Sequence, residues 1–326
     1  MFSVGCHPFR DVIAKALYAP GAGYYTHHIR TVGRSGDFST TATLGSAMAR
    51  ALARWAVQAA SESGVRHLIE VGAGDGSMAH GILAALPWWH PLRRGYRIVD
   101  TSAPLVAQQR QRLGRRVRWF ASVAEALADC GGRALVFGNE LVDAFAPTVL
   151  QYDIHGWREL ALEIAPHGGV REVTLPWSGD TVGRVFHPEF WPGGNIPIGQ
   201  RIEWLDGFAD WMRAWLPSWQ AGQCLWIDYG DLLPGLYARR PFGTLRAYFR
   251  HQRLEGMSVF QRIGKQDITC DVNFTDLRLW GEADGLHTVM EATQENFLTH
   301  FGLAGGDDVA GTSEVAQAFR VLWQRR

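Results

Sequence analysis

The sequence predicts an α/β fold in which a doubly wound, mostly parallel sheet carries an N-terminal helical cap and an inserted lobe of mixed structure. Strand-like and helix-like segments alternate from residue 67 to residue 138, as in a parallel sheet with helical crossovers. A glycine-rich turn follows the first of these strands. After Pro147 the alternation stops, and it resumes only near residue 223, which indicates an insertion.

The alternating segments are assigned from their hydrophobic period. Strands are expected at 67–71, 96–100, 117–120 and 134–138, with helices between them at 77–86, 103–113 and 122–129. Apolar residues at helical spacing also predict two earlier helices, at 8–20 and 44–60.

The second half of the chain is less regular. Residues 148–165 indicate two antiparallel strands that turn at His155-Gly156, and residues 166–200 have no clear period. A helix is expected to start after Asp206, its N-cap residue, and to end before Pro217. Later strands are expected at 223–230, 268–274 and 287–293, with a helix near 275–284. We therefore expect an N-terminal helical or lid segment at 1–60, a core formed by 61–147 and 221–326, and a substrate or partner lobe at 148–220.

Composition excludes several classes of protein. The chain has 326 residues, 47% of them hydrophobic, and its 32 basic residues balance its 32 acidic ones. This neutral balance gives no support for nucleic-acid binding, and no apolar run approaches the ~20 residues of a membrane span. The four cysteines form no C-x-x-C pair, so we expect no metal site and a reducing, cytoplasmic setting.

The segment Glu70-Val71-Gly72-Ala73-Gly74-Asp75-Gly76 carries the strongest functional signal. Closely spaced glycines let a ligand approach the backbone, and the helix behind them presents free N–H groups. A dinucleotide fingerprint is G-x-G-x-x-G, but here the third glycine comes one residue early. Glu70 and Asp75 would repel a pyrophosphate and suit a ligand that carries an ammonium and a sulfonium. The remaining alternative is a glycine-rich turn that binds nothing.

Other candidate residues follow the neighbouring strands, because open parallel sheets bind ligands beyond the carboxyl ends of their strands. Asp100 is expected either to accept hydrogen bonds from ribose hydroxyls or to cap the next helix. The expected fourth strand, 134–138, is followed by Asn139, Glu140 and Asp143. Asp228, at the end of the strand expected at 223–230, is a weaker candidate for a site residue.

Seven blocks of sequence resemble the MidA family of S-adenosylmethionine (SAM)-dependent methyltransferases, in the same order. They are residues 16–25, Gly36-Asp37-Phe38-Ser39-Thr40, the Glu70–Gly76 loop, residues 139–144, Ile227-Asp228-Tyr229-Gly230, residues 243–248 and Asp267-Ile268-Thr269. The resemblance implies a Rossmann-like methyltransferase sheet of the seven-stranded type, SAM as methyl donor, and a protein arginine as acceptor. Gly36 and Asp37 are then expected in a lid that contributes to the cofactor site.

Methyl transfer to a guanidinium needs carboxylates that orient the acceptor and take its proton. Glu140 and Asp143 are three residues apart, and on a helix they would share one face. Asn139 is expected to offer its carbonyl or backbone to the cofactor or the acceptor. Asp228 is the reserve candidate for a carboxylate that orients the acceptor and takes its proton.

The chain departs from the family pattern at Thr41-Ala42-Thr43, Asp271 and Asn273. A non-catalytic SAM-binding assembly factor is therefore the alternative function, and a nicotinamide dehydrogenase is a weaker third. The many tryptophans between 157 and 226 fit either a packed core or a surface that grips a protein partner. The sequence does not predict the oligomeric state.

Overall fold

The computed structural model describes residues 2–28, 46–179, 183–249, 252–303 and 318–326. Within these ranges the α-helices are α1 (Phe9–Tyr18), α2 (Ser46–Ser63), α3 (Ser77–Ala85), α4 (Ala103–Leu113), α5 (Val123–Ala128), α6 (Asp206–Trp215), α7 (Phe274–Ala283) and α8 (Gln294–His300). The strands are β1 (Gly5–Pro8), β2 (Leu68–Val71), β3 (Tyr96–Val99), β4 (Arg118–Phe120), β5 (Leu135–Asn139), β6 (Thr148–Asp153), β7 (Gly156–Ile164), β8 (Val170–Pro176), β9 (Arg201–Trp204), β10 (Gln223–Asp231), β11 (Arg246–Phe249), β12 (Gln252–Glu255), β13 (Asp267–Thr269), β14 (Val272–Asn273), β15 (His287–Thr293) and β16 (Phe319–Arg325).

The chain divides into two compact units. The sheet unit consists of Ile29–Val142, Asp210–Tyr229 and Trp280–Arg326. The accessory unit consists of Met1–His28, Asp143–Ala209 and Gly230–Leu279.

The sheet unit is built on strands in the order β15-β16-β10-β5-β2-β3-β4. Strands β10, β5, β2, β3 and β4 run parallel to one another, whereas β16 pairs antiparallel with β10 and β15 pairs antiparallel with β16. This arrangement confirms the expected α/β class, and the large sheet is mixed. The register sets Val71 of β2 opposite Gly138 of β5 and Val99 of β3, so these strands end together at one edge.

The core of the sheet unit depends on the alanine-rich helix α2. Its small side chains allow close packing on α3, where a Cβ at Gly81 would lie 2.7 Å from the Cβ of Ala49. On the sheet side, the fully buried Trp55 meets Phe137 of β5 edge to face, with ring centroids 6.1 Å apart. Burying such aromatic side chains supplies much of the stabilisation of a core of this kind.

The accessory unit contains two antiparallel sheets. One has the order β1-β7-β6-β9, with β8 paired to β7, and the other has the order β12-β11-β13. The predicted hairpin at 148–165 is confirmed, because Asp153 pairs with Gly156 across the turn. Gly156 has a φ of +103°, a conformation that a side chain rarely adopts.

Several elements differ from the sequence expectation. The aperiodic segment 166–200 contains β8, an edge strand whose residues are mostly exposed and so lack the alternation that marks a half-buried strand. The expected strand at 268–274 is two short strands, β13 and β14, and Phe274 begins α7. Strand β16 was not predicted; five of its seven residues are buried, so it shows no period of two.

Packing accounts for most of the tryptophans between 157 and 226. Those at positions 191, 204, 215, 219 and 226 are all buried. The most exposed tryptophans lie elsewhere, at Trp88 and Trp89, with 86% and 66% of their surface accessible. Across the described ranges, we find no helix with both the length and the apolar character that a bilayer crossing requires.

The glycine before β10 provides a test of the sheet geometry. A Cβ at Gly222, whose φ is +147°, would lie 1.8 Å from the carbonyl oxygen of Ala134, which also accepts a hydrogen bond from Trp219. Gly131 also has a positive φ, +64°, but has open space around it. Gly131→Ala should cost about 1–2 kcal/mol from backbone strain alone, and Gly222→Ala should cost clearly more. Calorimetric unfolding midpoints check this order, and equal midpoints would contradict it.

Candidate functional site

The glycine loop after β2 has the conformation that its sequence requires. Gly72, Gly74 and Gly76 have φ values of +69°, +53° and +80°, in the left-handed region that favours glycine. A Cβ at Gly72 would lie 3.2 Å from a methyl carbon of Leu141, and one at Gly76 would lie 3.3 Å from Leu113. Helix α3 begins directly afterwards, so its first N–H groups lie at the end of the loop.

Glu70 lies within β2 and is buried, with 2% of its surface exposed. The hydroxyl of Tyr96 donates a hydrogen bond of 2.7 Å to its Oε2. Burial raises the pKa of Glu70 to about 8, and the Tyr96 hydrogen bond opposes the shift, while the charges of Asp100 and Asp75 add to it. The carboxyl group therefore keeps its proton at neutral pH until a positive charge comes near.

Asp75 is engaged at the start of α3. Its Oδ1 accepts hydrogen bonds from the N–H and the hydroxyl of Ser77, at 2.9 Å and 2.5 Å. Its Oδ2 lies 2.7 Å from Arg112. These contacts hold the loop against α3 and α4, and they partly neutralise the acid that we expected to face a cationic ligand.

Asp100, which follows β3, is held on both oxygens. Oδ1 accepts the N–H of Ser102 at 2.9 Å, and Oδ2 accepts from the amide of Gln109 at 2.7 Å. Both expected roles remain open in this geometry, because the first contact supports the start of α4 and each oxygen has a second lone pair. Burial raises the pKa of Asp100, and the two hydrogen bonds oppose that shift.

The end of β5 differs from the sequence expectation. Residues 140–145 form turns and bends, so the prediction that Glu140 and Asp143 share a helical face is wrong. Glu140 has a φ of +53°, and its N–H donates to the carbonyl of Ile227. The Nδ2 of Asn139 lies 3.2 Å from a carboxylate oxygen of Glu140.

Asp228 on β10 holds the turn that follows β5. This fully buried carboxylate accepts the N–H of Val142 at 2.8 Å and that of Tyr229 at 2.8 Å. A buried acceptor that takes the N–H of Val142 fixes the turn after β5. Asp228 therefore shapes the site, in addition to any contact it makes with a ligand.

Asp143 begins a segment of the accessory unit, whereas Glu140 belongs to the sheet unit. In the accessory unit, the hydroxyl of Thr269 donates to Asp143 Oδ2 at 2.8 Å, and that of Tyr25 donates to Asp267 at 2.9 Å. Burial raises the pKa of Asp143 and, together with the charge of Asp143, raises that of Asp267 to about 7. Two buried carboxylates in one unit thus resist ionising together.

Of the three departures from the family pattern, Thr41-Ala42-Thr43 lies outside the described residues, and Asp271 and Asn273 have internal roles. Asp271 pairs with Arg246 at 2.6 Å and with Arg240. The side-chain amide of Asn273 donates to Asp276 at 2.7 Å.

The structure brings most of the predicted site residues to one sheet edge. Those in the last residues of β2, β3, β5 and β10 or just beyond them, with Asp228 next to the Ile227 that pairs with Asn139, are Glu70, Gly72, Gly74, Asp75, Gly76, Asp100, Asn139, Glu140 and Asp228. Gly36 and Asp37 lie outside the described residues. Sequence reasoning missed Gln109, although a polar residue at helical spacing between Leu105 and Leu113 is itself a signal.

Comparison with known proteins identifies relatives of this chain. A family described as "Putative S-adenosyl-L-methionine-dependent methyltransferase" matches residues 51–292. The mitochondrial protein arginine methyltransferase NDUFAF7 of Xenopus tropicalis is 23% identical over 370 residues, with 98% of this chain and 79% of that protein covered. The corresponding protein of Rattus norvegicus is 23% identical over 344 residues, with 92% and 72% covered.

A solved structure agrees with these sequence matches. A protein from Burkholderia thailandensis, crystallised with S-adenosyl-homocysteine, superposes with a TM-score of 0.83 and 28% identity, covering 99% of this chain and 88% of that one. The resemblance inferred from the sequence blocks is thereby confirmed. Because the family match extends over most of its length, this chain belongs to the family of S-adenosylmethionine-dependent methyltransferases.

Proposed function

We propose that this chain transfers a methyl group from SAM to a protein side chain, with the arginine guanidinium as the favoured acceptor. The observation that carries the choice of acceptor is the match, over 92% and 98% of this chain, to relatives named as protein arginine methyltransferases. Those relatives are mitochondrial, and a cytoplasmic location for this chain stays a prediction.

The finer expectations about architecture belong to the same proposal. These are the seven-stranded type of methyltransferase sheet, the N-terminal cap over 1–60 and the substrate lobe over 148–220. The strand path β15-β16-β10-β5-β2-β3-β4 supports the first of them.

Residues of the sheet unit fit the cofactor. The loop positions at Gly72, Gly74 and Gly76 leave the backbone accessible, and Glu70 offers a negative charge to an ammonium once it ionises. Asp100 would accept hydrogen bonds from ribose hydroxyls. The cofactor brings a methyl group already activated by its sulfonium, so the protein's task is to align the acceptor and exclude water.

The acceptor requires a base. A guanidinium has a pKa above about 12 and becomes nucleophilic only as a proton leaves. Glu140 and Asp143 are the carboxylates that we assign to orienting it and taking the proton, and Asn139 would help to position it. Burial raises the pKa of Asp143, which brings this base closer to neutral pH, where proton transfer is most efficient.

The second candidate function is a SAM-binding assembly factor without turnover. Asp271 and Asn273, where the chain departs from the family pattern, make contacts within the accessory unit. These internal contacts favour a structural role for that segment. Methyl transfer assays on the unaltered protein distinguish the two functions.

The first expected outcome concerns the identity of the ligand. SAM and S-adenosylhomocysteine should bind and NAD should not. Gly74→Val should abolish binding, because a branched side chain would occupy the ligand's space, whereas Gly131→Val, outside the loop, should retain it. Asp100→Ala should weaken binding by about 1–3 kcal/mol through lost hydrogen bonds to a charged acceptor. Titration calorimetry measures all of these, and NAD binding without SAM binding would contradict the assignment.

Glu70 should make cofactor binding depend on pH. Its pKa of about 8 in the free protein means that the carboxyl is mostly protonated at pH 7. A cationic ligand lowers that pKa, so binding releases a proton and affinity rises as pH increases toward 8. Calorimetry in buffers of different ionisation enthalpy measures the released proton. Glu70→Gln should remove this pH dependence, and an unchanged dependence would exclude Glu70 as its source.

The acceptor site is tested by turnover. Glu140→Gln and Asp143→Asn should each slow single-turnover methyl transfer to arginine-rich protein fragments by about 10²–10⁴-fold, the usual contribution of a general base. SAM affinity should change little. Glu189 is exposed, so Glu189→Gln serves as a control that removes the same charge outside the proposed site. Wild-type rates in both variants would remove these carboxylates from the mechanism, and SAM binding without any transfer by the unaltered protein would favour the assembly factor.

A further inference from the structure

Gln109 links the glycine loop to the acid after the neighbouring strand. It lies on α4 and is fully buried. Its Nε2 donates to the carbonyl of Gly74 at 2.8 Å and to Oδ2 of Asp100 at 2.7 Å. One amide group therefore joins the two segments to which we assign the methionine and ribose parts of the cofactor.

The orientation of this amide is fixed by its neighbours. The indole of Trp119, which can only donate, gives its hydrogen to Gln109 Oε1 at 3.0 Å. The other two partners, a backbone carbonyl and a carboxylate, can only accept. A flipped amide would lose all three hydrogen bonds, so this arrangement alone satisfies the group. The guanidinium of Arg110 covers the Trp119 ring at 5.0 Å and helps to hold it.

Gln109 also packs against the last glycine of the loop. A Cβ at Gly76 would lie 3.4 Å from both Cα and Cγ of Gln109. The loop is thus held at Gly74 by a hydrogen bond and at Gly76 by contact. Because Asp100 depends on the same side chain, the position of its carboxylate is coupled to the shape of the loop.

We infer that Gln109 is a positioning residue that fixes the Asp100 carboxylate relative to the glycine loop and thereby sets selectivity for ligands with an intact ribose diol. This inference rests on the proposed cofactor site. Without the hydrogen bond from Gln109, the Asp100 carboxylate can rotate, and it then forms weaker hydrogen bonds with the ribose hydroxyls. The Gln109 hydrogen bond also opposes the effect of burial on the pKa of Asp100, which favours the ionised, accepting form.

The test compares two ligands rather than one. Calorimetry measures the affinities of S-adenosylhomocysteine and its 2′-deoxy analogue for the unaltered protein, for Gln109→Leu, and for Gln111→Leu. Gln111 lies on the same helix but is exposed, so it is the matched control. The unaltered protein and Gln111→Leu should prefer the intact ribose by roughly 10–100-fold, the contribution of one hydrogen bond to a charged group. Gln109→Leu should bind both ligands with nearly equal affinity.

Each result has a distinct meaning. A loss of affinity in Gln109→Leu that is equal for both ligands would show a general structural role and overturn the inference, as would unchanged selectivity. If the unaltered protein does not bind S-adenosylhomocysteine, the proposed cofactor site itself fails. If Gln109→Leu does not fold, Trp119→Phe takes its place, because it removes the donor that fixes the amide. That variant should lose part of the selectivity, and full selectivity would overturn the inference.

Discussion

The parallel pairing of β2 with both β3 and β5 is the constraint on which the rest of the sheet unit depends. Parallel strands in register end at the same edge, and here Val71 aligns with both Val99 and Gly138. The glycine loop, Asp100 and Asn139 are distant in sequence, yet this register brings them to one edge. A slip of one residue would turn the buried Glu70 to the opposite face of the sheet.

Buried carboxylates recur in both units, and their behaviour follows their hydrogen bonds. Glu203 accepts hydrogen bonds from the N–H and the hydroxyl of Thr244 and from the N–H of Leu245. These bonds lower the pKa of Glu203 and partly offset the rise caused by burial. Such a group is suited to a structural role. Glu70 accepts a single side-chain hydrogen bond within the described residues, from Tyr96, and its pKa rises to about 8. A sparsely bonded acid is costly to ionise alone and responds strongly to an approaching cation, as expected for a binding residue.

The features that the sequence predicted depend on local interactions, and most of those that it missed depend on contacts between residues far apart in the chain. The glycine loop and α4 were predicted because their signals are local: glycine spacing in one case, apolar period in the other. The turn after β5 was not, because it depends on Asp228, which lies 86 residues beyond Val142. The same holds for Gln109, whose partner Gly74 is 35 residues away. Strand β8 was missed because an exposed edge strand shows little alternation.

The left-handed backbone at Glu140 has a consequence for the balance between stability and activity. A glutamate with a φ of +53° stores strain of about 1–3 kcal/mol that a glycine would not. Replacement by glycine would therefore be expected to relax the chain while deleting the carboxylate. If the site functions as proposed, the protein tolerates a locally unfavourable conformation in order to hold a charged group at the end of β5, and its most stable sequence is not its most active one.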